Sequence, residues 1–165
     1  MPITKSIDDV KPIAYKNFSC GIQELDEYLK RFAKANHKKG IGKTFVFFEN
    51  EQVIGFYTIS MACIEFKNVP EKHSSNLPRY PIPAARIGRL AVDNSFQGKH
   101  VGKILLIDAL ERISKAAYTI AAHAVIVDAK NEKAKMFYEH FGFIPYKDEP
   151  MSLYLPLITI EELFK

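Results

Sequence analysis

Residues 87–106, Ile-Gly-Arg-Leu-Ala-Val-Asp-Asn-Ser-Phe-Gln-Gly-Lys-His-Val-Gly-Lys-Ile-Leu-Leu, constrain this chain more than any other stretch. Residues 87–92 form an apolar run interrupted only by Gly88 and Arg89, which reads as a short buried strand. Asp93, Asn94 and Ser95 are turn formers whose side chains compete for backbone hydrogen bonds. From Val101 the apolar positions recur at helical spacing, with Leu106, Ala109, Leu110, Ile113 and Ala117 on one face. Asp108, Glu111, Arg112 and Lys115 occupy the other face, and the acid-before-base pairs four residues apart predict that this face is solvated. A strand, a tight loop and a helix in this order leave backbone N–H groups unpaired at the helix start, beside the positive end of its dipole. Gly98 and Gly102 permit close approach to the backbone, and Lys99 and Lys103 add positive charge. The expectation is an anion site for a phosphate or pyrophosphate, with an ordinary connection that uses glycine for tight packing as the alternative. Gly-Lys-Ser/Thr at P-loop spacing is absent, and so is the dinucleotide pattern Gly-x-Gly-x-x-Gly.

The length of 165 residues suffices for one domain with a real core, and 47% apolar composition argues against disorder. A net charge of +4 suits an anionic ligand but does not by itself indicate nucleic acid. Cys20 and Cys63 fit no metal spacing and read as reduced core cysteines of a cytoplasmic protein. The opening Met-Pro-Ile-Thr-Lys-Ser has no apolar signal region, and no apolar run is long enough to span a bilayer.

In order, residues 10–15 predict a first strand. Ser19-Cys20-Gly21 opens a helix with Ile22, Leu25, Leu29 and Phe32 as its apolar stripe. Its far end carries Lys30, Arg31, Lys34, Lys38 and Lys39, followed by Lys43; these read either as a solvated helix end or as a surface for a polyanion. Residues 43–48 and 52–66 predict an antiparallel hairpin around Glu49-Asn50-Glu51. Residues 73–83, with three prolines, predict a loop that displays Arg79 and Tyr80, either as substrate contacts or as a rigid connector. Residues 122–127 predict the next strand, and Asn131 caps a helix with Ala134, Phe137, Tyr138 and Phe141 on one face and Gly142 as its stop. Residues 143–146 and 151–155 read as a last strand pair, followed by a short tail at 158–164. The order implies an α/β fold with helices on a mixed, mostly antiparallel sheet, in a single domain spanning 1–165.

Gln97-Gly98-Lys99-His100-Val101-Gly102 resembles the acetyl-CoA loop of GNAT N-acetyltransferases, Gln/Arg-x-x-Gly-x-Gly/Ala, with His100 in place of the first patterned glycine. Residues 131–143 match a second GNAT pattern, Asn-x-x-Ala-x-x-Phe-Tyr-x-x-x-Gly-Phe, at every named position. The resemblance covers nearly the whole chain. It implies a single GNAT-type domain and transfer of an acetyl group from acetyl-CoA to a primary amine, with no metal. It also implies that backbone groups of Leu90, Ala91 and Val92 hold the pantetheine and polarise the thioester carbonyl. The pyrophosphate would then lie on the amides of Gln97, Gly98, Lys99, His100, Val101, Gly102 and Lys103. Asn131 would contact CoA, and Tyr138 would protonate the leaving thiolate. Read from spacing alone, Tyr138 is a core aromatic rather than a catalytic residue. No carboxylate or histidine stands out as the base.

Within that family, Phe18-Ser-Cys-Gly-Ile-Gln-Glu-Leu-Asp26-Glu-Tyr-Leu29, Leu77-Pro-Arg-Tyr-Pro-Ile-Pro-Ala84, Gly88-Arg-Leu-Ala-Val-Asp93 and the Asp-x-x-Met stretch ending at Met151 are similar to the tRNA-acetylating toxins paired with ribbon-helix-helix antitoxins. This likeness implies the α-amine of aminoacyl-tRNA as acceptor, a homodimer and an antitoxin partner. Lys34, Lys38, Lys39, Arg79 and Arg86 would face tRNA phosphates. The alternatives are a stand-alone acetyltransferase for a small-molecule or polypeptide amine, and a CoA-binding module without catalysis.

Overall fold

The computed structural model describes residues 3–165. Its strands are β1 (Lys5–Ser6), β2 (Lys43–Glu49), β3 (Gln52–Ile64), β4 (Ile82–Val92), β5 (Ala124–Asp128), β6 (Ile144–Pro145) and β7 (Ser152–Pro156). Its helices are α1 (Gln23–Glu27), α2 (Ala33–Lys39), α3 (Glu71–Ser74), α4 (Val101–Ala116), α5 (Glu132–His140) and α6 (Leu157–Leu163). The strands follow the hydrogen-bonded order β1-β2-β3-β4-β5-β7-β6, the mixed sheet expected from the sequence. The chain divides into two compact units. The first comprises residues up to Ser60 with Ile87–Arg112, and the second comprises Met61–Arg86 with Ile113–Lys165.

In the first unit, the expected hairpin forms between β2 and β3, with Glu49 opposite Gln52. Asn50 and Glu51 both take positive φ, 50° and 64°, as a two-residue turn matched to strand twist requires. The register slips between Phe47 and Phe48, so Ile54 has no partner on β2. Its carbonyl accepts instead from Asp93 N–H at 2.8 Å, which ties the end of β4 to the hairpin. At Gly55 an added Cβ would lie 2.7 Å from Leu105 Cδ1 and 3.2 Å from the Ala91 carbonyl, so α4 packs on β3 only because this residue has no side chain.

Three expectations for this unit are corrected. Residues 10–15 are no strand: Pro12–Tyr15 forms a 3₁₀ turn, and the first strand is the shorter β1. Pro12, with its fixed φ and no N–H, favours the start of a helical turn over a ladder position. The first helix is interrupted by a π turn at Tyr28–Phe32, closed by Ala33 N–H to the Tyr28 carbonyl. The extra residue rotates the helix, so Leu25 and Leu29 stay buried while Phe32 is 50% exposed and Ala33 and His37 take the inner positions. Asp108 is 5% exposed rather than solvated. It accepts from Ile3 N–H at 3.0 Å and from the hydroxyls of Thr4 and Tyr57, each at 2.6 Å. Arg112 donates to Tyr57 Oη at 2.9 Å and to Thr4 Oγ1 at 3.0 Å, and lies 3.7 Å from the centre of the Phe45 ring. Both residues thus belong to one closed polar network, and pushing the Tyr57 pKa upward is the joint effect of burial and Asp108.

In the second unit, β5 pairs antiparallel with β7, and β6 pairs with β7, as the last strand pair was expected to do. Ala124, Val125, Ile126 and Val127 are buried and Asp128 emerges at the strand end, whereas Cys63, expected in the core, is exposed near the end of β3. Strand β4 begins at Ile82, so it takes in the end of the expected proline loop; Pro83 offers its carbonyl to His123 N–H at 2.8 Å. Asn131 caps α5 by accepting from Ala134 N–H at 2.8 Å. At the other end, Gly142 at φ 94° lets its N–H reach the Glu139 carbonyl and Phe143 N–H reach the Tyr138 carbonyl, the paired bonds of a Schellman stop. The hydrophobic contact that accompanies this stop is the edge-on packing of Tyr138 on Phe143, with ring centres 5.4 Å apart.

Candidate functional site

In the first unit the loop that follows β4 is built by side chains bonded to backbone. Asp93 accepts from Ser95 N–H at 2.9 Å, which caps a 3₁₀ turn at Asn94–Phe96, and from Ser19 N–H at 3.1 Å. Asn94 N–H donates to the Ser19 carbonyl at 2.7 Å. Gly21 holds φ 92°, and a Cβ there would approach Asn94 Oδ1 to 3.3 Å. The Gln97 side-chain amide donates to the carbonyls of Cys20, at 2.9 Å, and Val92, at 3.0 Å. Gln97 therefore clamps the loop to the end of β4 and to the start of the first helical segment. Nothing in the local pattern around Ser19, Cys20 and Gly21 points to this role.

Gly98 at φ 78° and His100 at φ 66° then turn the chain into α4. The left-handed backbone at His100 explains why the GNAT pattern has glycine there. The His100 carbonyl accepts from Ile104 N–H at 3.1 Å and so begins the helix. The N–H groups of Val101, Gly102 and Lys103 form the first turn, where no carbonyl lies four residues back along the helix. With sixteen residues of aligned dipoles behind it, this end favours an anion. Lys99 and Lys103 are exposed, and Lys99 lies 5.2 Å over the Phe96 ring. On β4, Ala91 is buried and Leu90 and Val92 are half-buried. Arg89, which breaks the apolar run, stacks 3.5 Å from the centre of the Tyr28 ring.

The expected cations of this unit divide. Lys34 is half-buried and donates to the Val10 carbonyl at 2.7 Å. Lys43 donates to the His37 carbonyl at 3.0 Å, at the C-terminal end of α2. Lys38 and Lys39 are exposed. His37 is buried between Thr44 N–H, which donates to Nδ1 at 2.9 Å, and Ser6 Oγ, 3.1 Å from Nε2. An Nδ1 that accepts cannot carry a proton, so the ring is neutral with its hydrogen on Nε2. Burial lowers the His37 pKa, and the charge of Asp8 opposes this in part.

In the second unit Tyr138 is 8% exposed, packed edge-on against Phe137 at 5.3 Å as well as Phe143. Its ring is a core aromatic. Burial, then the nearby Asp128 charge, pushes the Tyr138 pKa up to about 12, so the hydroxyl holds its proton at neutral pH. Asn131 Oδ1 is engaged in its cap. Arg86 pairs with Asp128, whose other oxygen accepts from Ser152 Oγ at 2.8 Å. Arg79 and Tyr80 are exposed, and Arg79 lies 5.7 Å from the Phe66 ring centre. Asp128 went unnoticed in the sequence, where it is one acidic residue at the end of an apolar run.

Comparison with known proteins finds relatives along most of the chain. A family model described as an acetyltransferase (GNAT) domain matches residues 40–145. A tRNA-acetylating toxin of Mycobacterium tuberculosis (strain ATCC 25618 / H37Rv) is 37% identical over 139 residues, 84% of this chain and 83% of its own. AtaT, solved in complex with acetyl-methionyl-tRNAfMet, is similar with a TM-score of 0.89 and 30% identity over 98% of both chains. A tyrosine-to-phenylalanine mutant of the AtaT toxin, bound to acetyl-CoA and the C-terminus of the antitoxin AtaR, is similar with a TM-score of 0.83 and 29% identity, covering 98% of this chain and 97% of the other.

Proposed function

The chain belongs to the GNAT acetyltransferase family, and on that footing we propose that it moves the acetyl group of acetyl-CoA to the α-amine of an aminoacyl-tRNA and thereby stops translation. The observation that carries the reading is the likeness along 98% of the chain to AtaT, a protein seen with acetyl-methionyl-tRNAfMet. Residues 1–165 act as one N-acetyltransferase domain in this reading. The amides of Val101, Gly102 and Lys103, with Lys99, receive the pyrophosphate at the start of α4, and Gln97 and Gly98 shape the approach to it. The site suits such a group because, among the described residues, the first turn of α4 carries no acidic side chain, and the Asp93 carboxylate accepts from Ser19 and Ser95. Backbone groups of Leu90, Ala91 and Val92 hold the pantetheine arm and orient the thioester. Tyr138 supplies a proton to the leaving sulfur, and its buried ring fixes the hydroxyl while burial and Asp128 keep it protonated. Asn131 adds a polar contact to CoA beyond its cap.

The acceptor reaches the site through its phosphates. Lys38, Lys39, Arg79 and Arg86 provide the cations, and Lys34 adds its charge from a fixed position. An esterified α-amine is a weaker base than a lysine side chain, so more of it is neutral near pH 7 and ready to attack. The reading extends to a homodimer held inactive by an antitoxin of the ribbon-helix-helix class. It extends also to a cytoplasmic site of action. Among the described residues no helix is long and apolar enough to cross a membrane. Expression tests the reading: the wild-type chain should arrest growth, and Tyr138→Phe should relieve the arrest. Arrest that persists in a folded Tyr138→Phe protein would contradict it.

A further inference from the structure

Arg86, expected from the sequence to face substrate phosphates, is paired in the structure. From β4 its Nη1 meets Asp128 Oδ2 at the end of β5, and Ser152 Oγ on β7 fixes the other carboxylate oxygen at 2.8 Å. Both partners reach solvent, with the Arg86 side chain 37% and the Asp128 side chain 59% exposed. An ion pair this exposed holds weakly, whereas guanidinium to phosphate is a strong, often bidentate contact, so a phosphate can displace the carboxylate from Arg86. Asp128 is also the charge that acts on Tyr138, which places it within electrostatic reach of the hydroxyl assigned to the leaving group.

We propose that the pair of Arg86 and Asp128 is a latch opened by the substrate: a phosphate of the tRNA acceptor arm takes Arg86, and the freed Asp128 receives the α-ammonium of the aminoacyl group and removes its proton. The inference rests on the aminoacyl-tRNA reading and names the base that reading lacks. The proton count closes. The ammonium gives one proton to Asp128, and the neutral nitrogen attacks the thioester carbonyl carbon. As the C–N bond forms and the C–S bond breaks, Tyr138 protonates the sulfur, and the second nitrogen proton restores Tyr138. Asp128 then releases its proton to water and Arg86 re-pairs as the product leaves. Ser152 serves as a positioning residue that keeps the carboxylate in place while Arg86 moves. An amine without a phosphate meets Asp128 still paired, so the latch also selects against free amino acids and their esters.

The test compares the wild-type chain, Arg86→Gln and Asp128→Asn on an aminoacyl-tRNA and on the methyl ester of the same amino acid, with saturating acetyl-CoA and product quantified by mass spectrometry. Arg86→Gln should lower kcat/KM for the tRNA substrate by about tenfold or more and raise it for the ester, because the phosphate ligand is lost and the base is unmasked. Asp128→Asn should lower kcat on the tRNA substrate by about 10²-fold and leave the ester, which meets the carboxylate already paired, much less affected. A merely structural pair would not move the two substrates in opposite directions. Arg86→Gln shifting both the same way, or leaving both unchanged, overturns the latch while the acceptor reading stands. A wild-type chain that acetylates the ester but no aminoacyl-tRNA overturns both. Should Asp128→Asn fail to fold, by thermal midpoint, the sign of the Arg86→Gln effect decides alone.

Discussion

Replacing His100 by glycine isolates the cost of the one departure from the acetyl-CoA loop pattern. His100 sits at φ 66°, where an L side chain crowds the following carbonyl at a cost of about 1–2 kcal/mol, at the lower end for histidine, which visits this region more than most residues. Glycine removes that cost but adds freedom to the unfolded chain, a loss of about 0.5–1 kcal/mol. The His100 side chain is exposed, so no buried contact is forfeited. The net gain is at most about 0.5 kcal/mol, or a rise of no more than roughly 1–2 °C in Tm for a chain of this size. Differential scanning calorimetry reads this directly, with His100→Ala as the control: it deletes the imidazole but keeps a Cβ, and should gain nothing. Titration of the same proteins with CoA should show affinity unchanged or tighter in His100→Gly. A His100→Gly protein no more stable than His100→Ala would refute the strain argument, and CoA affinity lost in both variants would mean that the imidazole itself holds the ligand.

Tyr138→Phe should lower kcat by about 10²–10⁴-fold while Tm and CoA affinity stay near wild type, because the ring keeps its packing against Phe137 and Phe143 and only the hydroxyl is lost; full activity would return Tyr138 to a packing role. Stability should fall on acidification through His37. Its folded pKa lies below the unfolded value of about 6.5, so the unfolded chain binds the extra proton, and the loss begins as pH drops past about 6.5 and continues to the folded pKa. Thermal midpoints between pH 8 and pH 5 should therefore fall less steeply in His37→Gln than in wild type, and equal slopes would exclude His37 as the source. Replacing Lys38 and Lys39 together by Glu should raise the KM for aminoacyl-tRNA and flatten its salt dependence without changing CoA affinity, since both side chains are exposed; an unchanged KM would remove α2 from the tRNA surface.

Periodicity and turn chemistry located the hairpin, α4, β5, α5 and the last strand pair, because each signal there is local. Asn131 caps α5 and Gly142 stops it through bonds no longer than five residues in reach. Long-range effects were not legible. The π turn at Tyr28–Phe32 shifts the buried face by one residue, and nothing in the apolar spacing announces it. Asp108 and Arg112 read as a solvated pair on a helix, and only the approach of Thr4 and Tyr57, distant in sequence, makes burial of the carboxylate tolerable. The loop pattern marked residues 97–103 as an expected anion site but not the reason for its glutamine, whose partners at Cys20 and Val92 come from elsewhere in the chain. His100 stood out as a departure, and its positive φ gives that departure a physical meaning. Asp128 was hidden because its importance lies in Arg86, Ser152 and Tyr138, each on a different element.

The acceptor amine is tested most directly by mass spectrometry of the aminoacyl group released from charged tRNA after incubation with the purified chain and isotopically labelled acetyl-CoA. The account predicts a labelled acetyl group on the α-nitrogen of the amino acid, formed by the wild-type chain and lost in Tyr138→Phe. A CoA-competent protein that leaves every aminoacyl-tRNA unmodified while labelling a small amine or a peptide would contradict it.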